Sequence, residues 1–392
     1  MSVVQDLLFT LQGHTDHVND ILYVPEEKMV ITGSSDKHVR VFRAVDDSYQ
    51  KWRIQCHFPC NSSITALAYH PENRLVAAGL KSGFILLLSL AEDYTSFRFR
   101  GEIDAHTKAV TKIAVIPSAT TIISCGKDKQ FRMFNWKDRT MKGSRLGSAA
   151  IHTFTLDLEG GRVFFGTMDH VIPVYRIKGS FEGLELICVL GEAVEGKNAA
   201  ECGHTGSVRS LFFDPDTQYL FSGSFDSCVC GWLMGEDAGQ LKLKLGPVQG
   251  GHRSKVKGIA WDTKRRILFS TGDDKRVIAW NASVGVKLAE WEAHRNWVLG
   301  CFLSAESGLL LTFGRDKLVK GWRVYAEAED IGAQAADAAT VDAEAPAEAE
   351  AVCDTVTDTV APEVPSPAAL DPHPEAVAAA VPDEIESDSG EQ

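Results

Sequence analysis

The sequence predicts an all-β protein built from seven copies of one sheet-forming unit, followed by an acidic tail that is expected to be disordered. Three observations predict it: a frame of about forty residues recurs along the chain, the segments between its marks are short and rich in β-branched residues, and the charge is divided unevenly at residue 325.

The recurring frame is a Gly-His or Ala-His pair, an apolar stretch, a second stretch running into Ser/Thr-Gly, an Asp, and an aromatic six residues beyond it. The fullest copies carry Gly203, His204, Asp226 and Trp232; Gly251, His252, Asp274 and Trp280; and Ala293, His294, Asp316 and Trp322. Two earlier copies keep the spacing with Phe in place of Trp: His14, Asp36 and Phe42, then His106, Asp128 and Phe134. The fourth retains Asp169 and Tyr175 without the Gly-His pair, and the second is the most degenerate, with Lys81 read at the Asp position and Leu87 at the aromatic one. Self-similarity at a fixed period marks repeat architectures, in which each unit buries its apolar faces against its neighbours. Between the marks, Val, Ile and Phe alternate or run in short stretches bounded by Gly, Asp, Asn and Pro, which is strand chemistry.

These marks resemble the WD-repeat (WD40) β-propeller family. The resemblance implies a seven-bladed disc of four-stranded antiparallel sheets around a central channel, here over residues 1–325. In that family the repeated His, Ser/Thr, Asp and indole form a hydrogen-bonded network within each blade. The resemblance therefore gives His14, Asp36, His106, Asp128, Asp169, His204, Asp226, Trp232, His252, Asp274, Trp280, His294, Asp316 and Trp322 a structural role. Repetition in itself argues against a Ser-His-Asp catalytic triad, which is needed once. An open stack would expose strand edges at both ends, so Asp6 to Leu11, ahead of the first His, are expected to supply the outer strand of the seventh blade. Blades with Phe42 and Phe134 lack an indole donor and are expected to have shorter networks.

A closer resemblance rests on AYHPENRLVAAGLKSGFILLLSLAEDYTSFRFRGEIDAHTKAVTKI, DPDTQYLFSGSFDS and GLLLTFGRDKLVKGW. These are similar to the propeller of the WD-repeat and FYVE-domain proteins, endosomal adaptors, over roughly residues 8 to 325. In those proteins a cysteine-rich zinc module that binds phosphatidylinositol 3-phosphate interrupts the chain before the last blade. The corresponding segment here, Asn281 to Ala293, reads NASVGVKLAEWEA, too short for the module and without a cysteine. The resemblance thus implies a scaffold, without inherited lipid binding.

Propellers bind partners across the face formed by the loops that enter the first strand and join the second to the third. The residue before each turn Asp is expected there: Ser35, Leu80, Lys127, Met168, Phe225, Asp273 and Arg315, with His17, Ala109, Ser207, Lys255 and Trp297 beside them. Leu80, Lys127, Met168, Phe225, Trp297 and Arg315 are the candidate partner-binding residues. Phe225, Trp297 and Arg315 have the composition of interface anchors.

The formal charge of −13 belongs to the tail: residues 326–392 hold 18 acidic and no basic residues, leaving 40 basic against 35 acidic in residues 1–325. Dense in Ala, Pro and acid and without an aromatic, the tail cannot bury enough apolar surface to offset its ordering entropy. Nine cysteines without a CxxC pair suggest neither a zinc cluster nor a disulfide framework. No phosphate-binding Gly loop, HExxH or GxSxG motif is present. The expectation is a non-enzymatic scaffold or adaptor without metal or cofactor, binding proteins or peptides in trafficking or signalling, as a monomeric propeller within a larger complex. No signal peptide and no apolar run of about 18 residues is found, so the protein is expected in the cytoplasm, reaching endosomes through partners rather than by direct membrane contact. Two alternatives remain. Basic loops at Thr263 to Arg266 and His252 to Lys257 suggest nucleic acid or anionic lipid, a reading weakened by the small propeller charge and the acidic tail. A ubiquitin-ligase substrate receptor is the other, weakened because Trp232, Trp280 and Trp322 are followed by Leu, Asn and Arg rather than Asp. Between the fourth and fifth copies, Lys178 to Cys202 is longer than the usual spacing, with GLELICVL read as a strand and GEAVEGKNAAEC as a loop.

Overall fold

The computed structural model describes residues 3–46, 49–116, 119–179, 183–192, 196, 199–236 and 238–325. The tail from residue 326, with Cys353, lies outside the described residues.

The described residues form seven antiparallel sheets of four strands each. Their inner strands are Val18–Val24, Ile64–His70, Val110–Ile116, Ile151–Asp157, Val208–Asp214, Val256–Asp262 and Val298–Ser304, and each packs beside the next to close a ring. The second strand of a blade lies between two neighbouring blades. Met29–Ser34, Leu75–Leu80, Thr121–Gly126, Arg162–Thr167, Ile267–Gly272 and Leu309–Gly314 are buried along their whole length for that reason. Burial on both faces is what makes these segments read as continuous apolar runs rather than alternations. Outer strands have one neighbour fewer, and Met141–Leu146 is almost wholly exposed.

Aromatic rings lock adjacent blades: Phe131 on Phe165 at 4.8 Å, Phe164 on Phe213 at 5.0 Å and Phe221 on Trp261 at 4.6 Å. Such pairs contribute about 0.5–1.5 kcal/mol each beyond their area burial. Buried carboxylates at the far ends of the inner strands add polar ties. Asp214 Oδ2 accepts from Trp261 Nε1 at 2.7 Å, and Asp262 Oδ2 from Tyr325 Oη at 2.7 Å.

The ring closes as the sequence implies. Val3–Leu11 pairs antiparallel with Val319–Tyr325, Leu11 opposite Val319 and Leu7 opposite Trp322, so the strand begins at Val3 rather than Asp6. Phe9 secures it: its ring lies 4.6 Å from Trp52, and against Gly321, where a Cβ would come within 2.3 Å of the Phe9 ring. Each sequence repeat is therefore one strand out of step with a structural blade, since it begins with the outer strand of the blade before.

Blade two requires a correction. Its tight turn is Lys81-Ser82-Gly83, with Gly83 at φ +100°, where Lys37, Lys129, His170, Ser227, Lys275 and Lys317 occupy positive φ in the other blades. Ser82, not Lys81, thus holds the Asp position. The aromatic position belongs to Leu88, which pairs with Val76 as Phe42 pairs with Val30, and not to Leu87. The segment Asn281 to Ala293 is a turn and the outer strand Val286–Glu292 of blade six. After blade four, Gly183–Leu190 is the expected strand, whereas Ala199–Cys202 forms one helical turn in the segment read as loop. Residues 193–195, 197 and 198 of that segment lie outside the described residues.

Candidate docking face

In blade five, His204 Nδ1 lies 3.0 Å from Asp226 Oδ2, His204 Nε2 lies 2.8 Å from Ser222 Oγ, and Trp232 Nε1 donates to Ser222 Oγ at 2.9 Å. Direction follows from chemistry. An indole N–H only donates, so the serine oxygen accepts and its own hydrogen goes to Nε2, leaving Nδ1–H to donate to the carboxylate. Blade six repeats the chain with His252, Asp274, Ser270 and Trp280, and blade seven with His294, Asp316, Thr312 and Trp322. The carboxylates also cap the turn: Asp226 accepts from the backbone of Thr205 and Cys228 at 2.9 Å each. Burial would raise the Asp226 carboxyl, but the His204 and backbone donors outweigh it and hold it at about 2.

The Phe blades differ from expectation in one case. In blade one His14 reaches Asp36 at 2.9 Å and Thr32 at 2.7 Å, and Arg40 extends the network, donating to Asp36 at 2.7 Å. A guanidinium thus joins where the indole is missing, and the network is not shorter. In blade three His106 joins Asp128 and Ser124 at 2.9 Å each, while the Arg132 guanidinium turns to the Ala105 carbonyl. Blade four lacks the histidine, and Ser148 takes its place, donating to Asp169 at 2.7 Å. Gly147-Ser148 stands where a Gly-His pair would, with a loop one residue shorter, which hid it in the sequence.

The opposite ends of these turns make the candidate face. The N–H of the residue before each turn position donates to the residue preceding the inner strand: Ser35 to His17, Lys81 to Ser63, Lys127 to Ala109, Met168 to Ala150, Phe225 to Ser207, Asp273 to Lys255 and Arg315 to Trp297, all at 2.9–3.0 Å. Leu80 is not on this face. It ends its strand opposite Ile64, in the place Ser34 holds in blade one, and is fully buried in the core. The one-residue misreading of blade two exchanged a core position for a surface one, as a one-residue register shift does; Lys81 is the face residue. Met168 is 57% exposed, and Phe225, Trp297 and Arg315 are half-buried.

These last three belong to a cluster that sequence reading did not assemble. Arg315 lies 4.0 Å from the Trp297 ring; Lys255 and Lys257 lie 4.7 and 4.3 Å from the Phe225 ring, and Arg209 5.1 Å. Arg209 and Lys257 arrive through a feature common to all blades. Each inner strand carries a bulge after its first residue, so that Asn19, Thr65, Thr111, His152, Arg209, Lys257 and Leu299 are skipped in the pairing. Bulges re-aim a side chain. The signal for them was the residue just after each apolar opening of a repeat. Among the described residues no group of three or more His, Cys, Asp or Glu is placed to hold a metal ion.

Ring closure, seven blades and a repeated His–Ser/Thr–Asp network define a WD-repeat β-propeller. The family model described as WD domain, G-beta repeat (WD40) matches residues 5–43, 97–135, 196–232 and 244–281, so the propeller carries WD40 repeats over those segments. It is similar to WD repeat and FYVE domain-containing protein 1 of Mus musculus, 28% identical over 71% of this chain and 63% of that protein. It is also similar to WD repeat and FYVE domain-containing protein 2 of Homo sapiens, 32% identical over 58% of this chain and 54% of that protein. To protein 2 of Caenorhabditis elegans it is 26% identical over 73% and 64%. The chain spans 54–64% of the length of these relatives.

Proposed function

We propose that this protein is a non-catalytic adaptor whose propeller face, at blades five to seven, docks protein or peptide partners through Phe225, Trp297 and Arg315. WD40 propellers are in general protein-interaction scaffolds. What supports the reading in this chain is the cation–aromatic cluster on the face: two half-buried rings with Arg315, Lys255 and Lys257 within 4.0–4.7 Å of one or the other. Aromatic and arginine side chains at the centre of a face supply most of the energy of protein interfaces. The proposal extends to a cytoplasmic protein that reaches endosomes through partners, since Asn281 to Ala293 leaves no room for a lipid-binding insertion.

The test is the triple variant F225A/W297A/R315A in the full chain, compared with the parent by proximity labelling and quantitative pull-down in its own cell. Its melting temperature is expected to stay close to that of the parent while the set of partners shrinks. A folded variant that retained every partner would place docking elsewhere.

A further inference from the structure

The outer strands of blades one and two, Trp52–Pro59 and Phe97–Asp104, share one register against the third strand: Ile54 lies opposite Phe42, and Phe99 opposite Leu88. Both face water on the circumference of the disc, Phe99 50% exposed and Ile54 45%. Phe99 does not stand alone. Its ring lies parallel to that of Phe58 on the neighbouring blade, with centroids 6.4 Å apart, and Phe58 meets Phe97 edge-on at 6.3 Å. Phe58 and Phe97 are half-buried and pack on the core between the two blades. The exposed ring is thus the outermost of three, and an anchor held before binding loses little freedom when it binds.

Arginines frame this shelf. Arg53 and Arg98 precede Ile54 and Phe99 in their strands. Arg100 is skipped in the pairing, which sets Phe99 opposite Leu88 and Gly101 opposite Leu87, and a bulge of this kind re-aims a side chain. Arg100 Nη2 keeps one long bond to Ser89 Oγ at 3.4 Å. From blade three, Arg139 reaches over Gly101, where a Cβ would lie 2.5 Å from its Nη1. All four arginines are exposed, and among the described residues none forms an ion pair with a carboxylate. Their planar forks of N–H donors are left for another molecule.

The composition selects the class of that molecule. Arginine and aromatic residues are enriched, and lysine depleted, in the cores of protein interfaces. A guanidinium also matches a carboxylate through two parallel hydrogen bonds. Carboxylates border the shelf on both sides: Glu102 and Asp104 follow the bulge in the same strand, and Asp93, whose carbonyl accepts from Gln55 Nε2 at 3.4 Å, lies in the turn before Phe97. A long polyanion would meet these charges, since it needs a continuous basic track, whereas a short acidic segment fits between them.

We propose that the outer edge of blades one and two is a second docking surface, for an acidic peptide segment of a protein partner. An apolar side chain of the segment rests on Phe99 and Ile54, and its carboxylates pair with Arg53, Arg98, Arg100 and Arg139. The surface lies on the circumference, apart from the loop face at blades five to seven, so one propeller can hold two partners at once. It goes beyond the docking reading above and stands whether or not that face binds.

The experiment uses the full chain and three immobilised degenerate peptide pools. Their fixed cores are a leucine-phenylalanine pair flanked by glutamates, the same pair flanked by glutamines, and a serine pair flanked by glutamates. Retention of the first pool over both others by roughly tenfold or more is expected, with a comparable loss in R98Q/R100Q and in F99S and none in F225A/W297A/R315A. Because Arg98 and Arg100 are exposed, R98Q/R100Q is expected to melt with the parent. Equal retention of the pools, no retention, or undiminished binding by R98Q/R100Q would overturn the proposal. So would a loss confined to F225A/W297A/R315A, which would move the peptide to the loop face and leave only the first docking reading standing. Preferential binding of phosphatidylserine vesicles, or of a single-stranded RNA, that R98Q/R100Q abolishes would equally overturn it, by assigning the shelf to lipid or nucleic acid.

Discussion

Leu11 lies directly opposite Val319 in antiparallel register, so the first strand of the chain completes the sheet to which its last described strand belongs. Nothing covalent joins the two ends of the ring, and the disc is held shut by this strand pair and by Phe9, which is 5% exposed. Deleting residues 1–11 leaves Val319–Tyr325 with a bare edge and opens the ring. The melting temperature of the whole propeller is expected to fall by many degrees, and F9A alone to cost about 3–5 kcal/mol. A deletion variant that melted with the parent in calorimetry would mean that the ring closes some other way.

Ser222 and Ser124 occupy the same place in blades five and three but carry different loads. Ser222 serves His204 and the Trp232 indole, whereas Ser124 serves His106, with Phe134 standing where the indole would be. Truncation leaves two buried partners unsatisfied in the first case and one in the second, at about 1–3 kcal/mol per group. S222A is therefore expected to be the more destabilising in denaturant titrations. By the same reasoning D36A is expected to cost at least as much as D226A, because it strands the Arg40 guanidinium as well as His14. Equal midpoints for S222A and S124A would contradict the assigned network.

Gly83 shows why blade two departs from the repeat. With no Asp to cap the turn, the chain takes φ +100° there, and a Cβ would lie 1.9 Å from the carbonyl oxygen of His106. The other blades tolerate Lys, His or Ser at the matching position because their φ values are 65–73°. A collision with backbone cannot be relieved by a rotamer change. G83A is expected to destabilise by several kcal/mol or to prevent folding, while K129A, at φ 67°, is expected to change stability little. A G83A protein as stable as the parent would refute the close approach.

Most of the fold was legible because its cause is repetition. His204, Asp226 and Trp232 recur at one spacing, and a hydrogen-bond network that needs those groups writes the same marks into every well-formed blade. Legibility failed where a different group does the same job. Counting from the repeat puts Leu80 on the surface because the turn Asp that fixes register is Ser82 in that blade, and Ser148 stands in for histidine at a spacing one residue shorter than the repeat's. Phe225, Trp297 and Arg315 could be placed by counting from the turn Asp. Their convergence with Arg209 and Lys257 could not, because it depends on strand bulges and on contacts between blades, which no local pattern encodes.

Acid is expected to act on the blade networks in two windows. Burial keeps the His14 and His106 imidazoles below their ordinary value of 6.5, against the pull of Asp36 and Asp128. The unfolded chain takes up these protons first, so this part of the stability is complete above about pH 6.5 and is lost as pH falls below it. The carboxyls of Asp36 and Asp226 are held at about 2 against an ordinary 3.8 by backbone, histidine and, for Asp36, arginine donors that outweigh burial. Their stabilisation is complete above about pH 4 and disappears as pH falls toward 2, roughly 2 kcal/mol for Asp226, whose side chain is 6% exposed. Both effects have the same sign, so the melting temperature is expected to decline from pH 7 downward and steeply below pH 4. D226N removes one of the lower titrations. Measured from pH 7 to 2.5, it is expected to start below the parent and converge on it in acid; curves that stayed parallel would show that Asp226 is not held ionised by its blade.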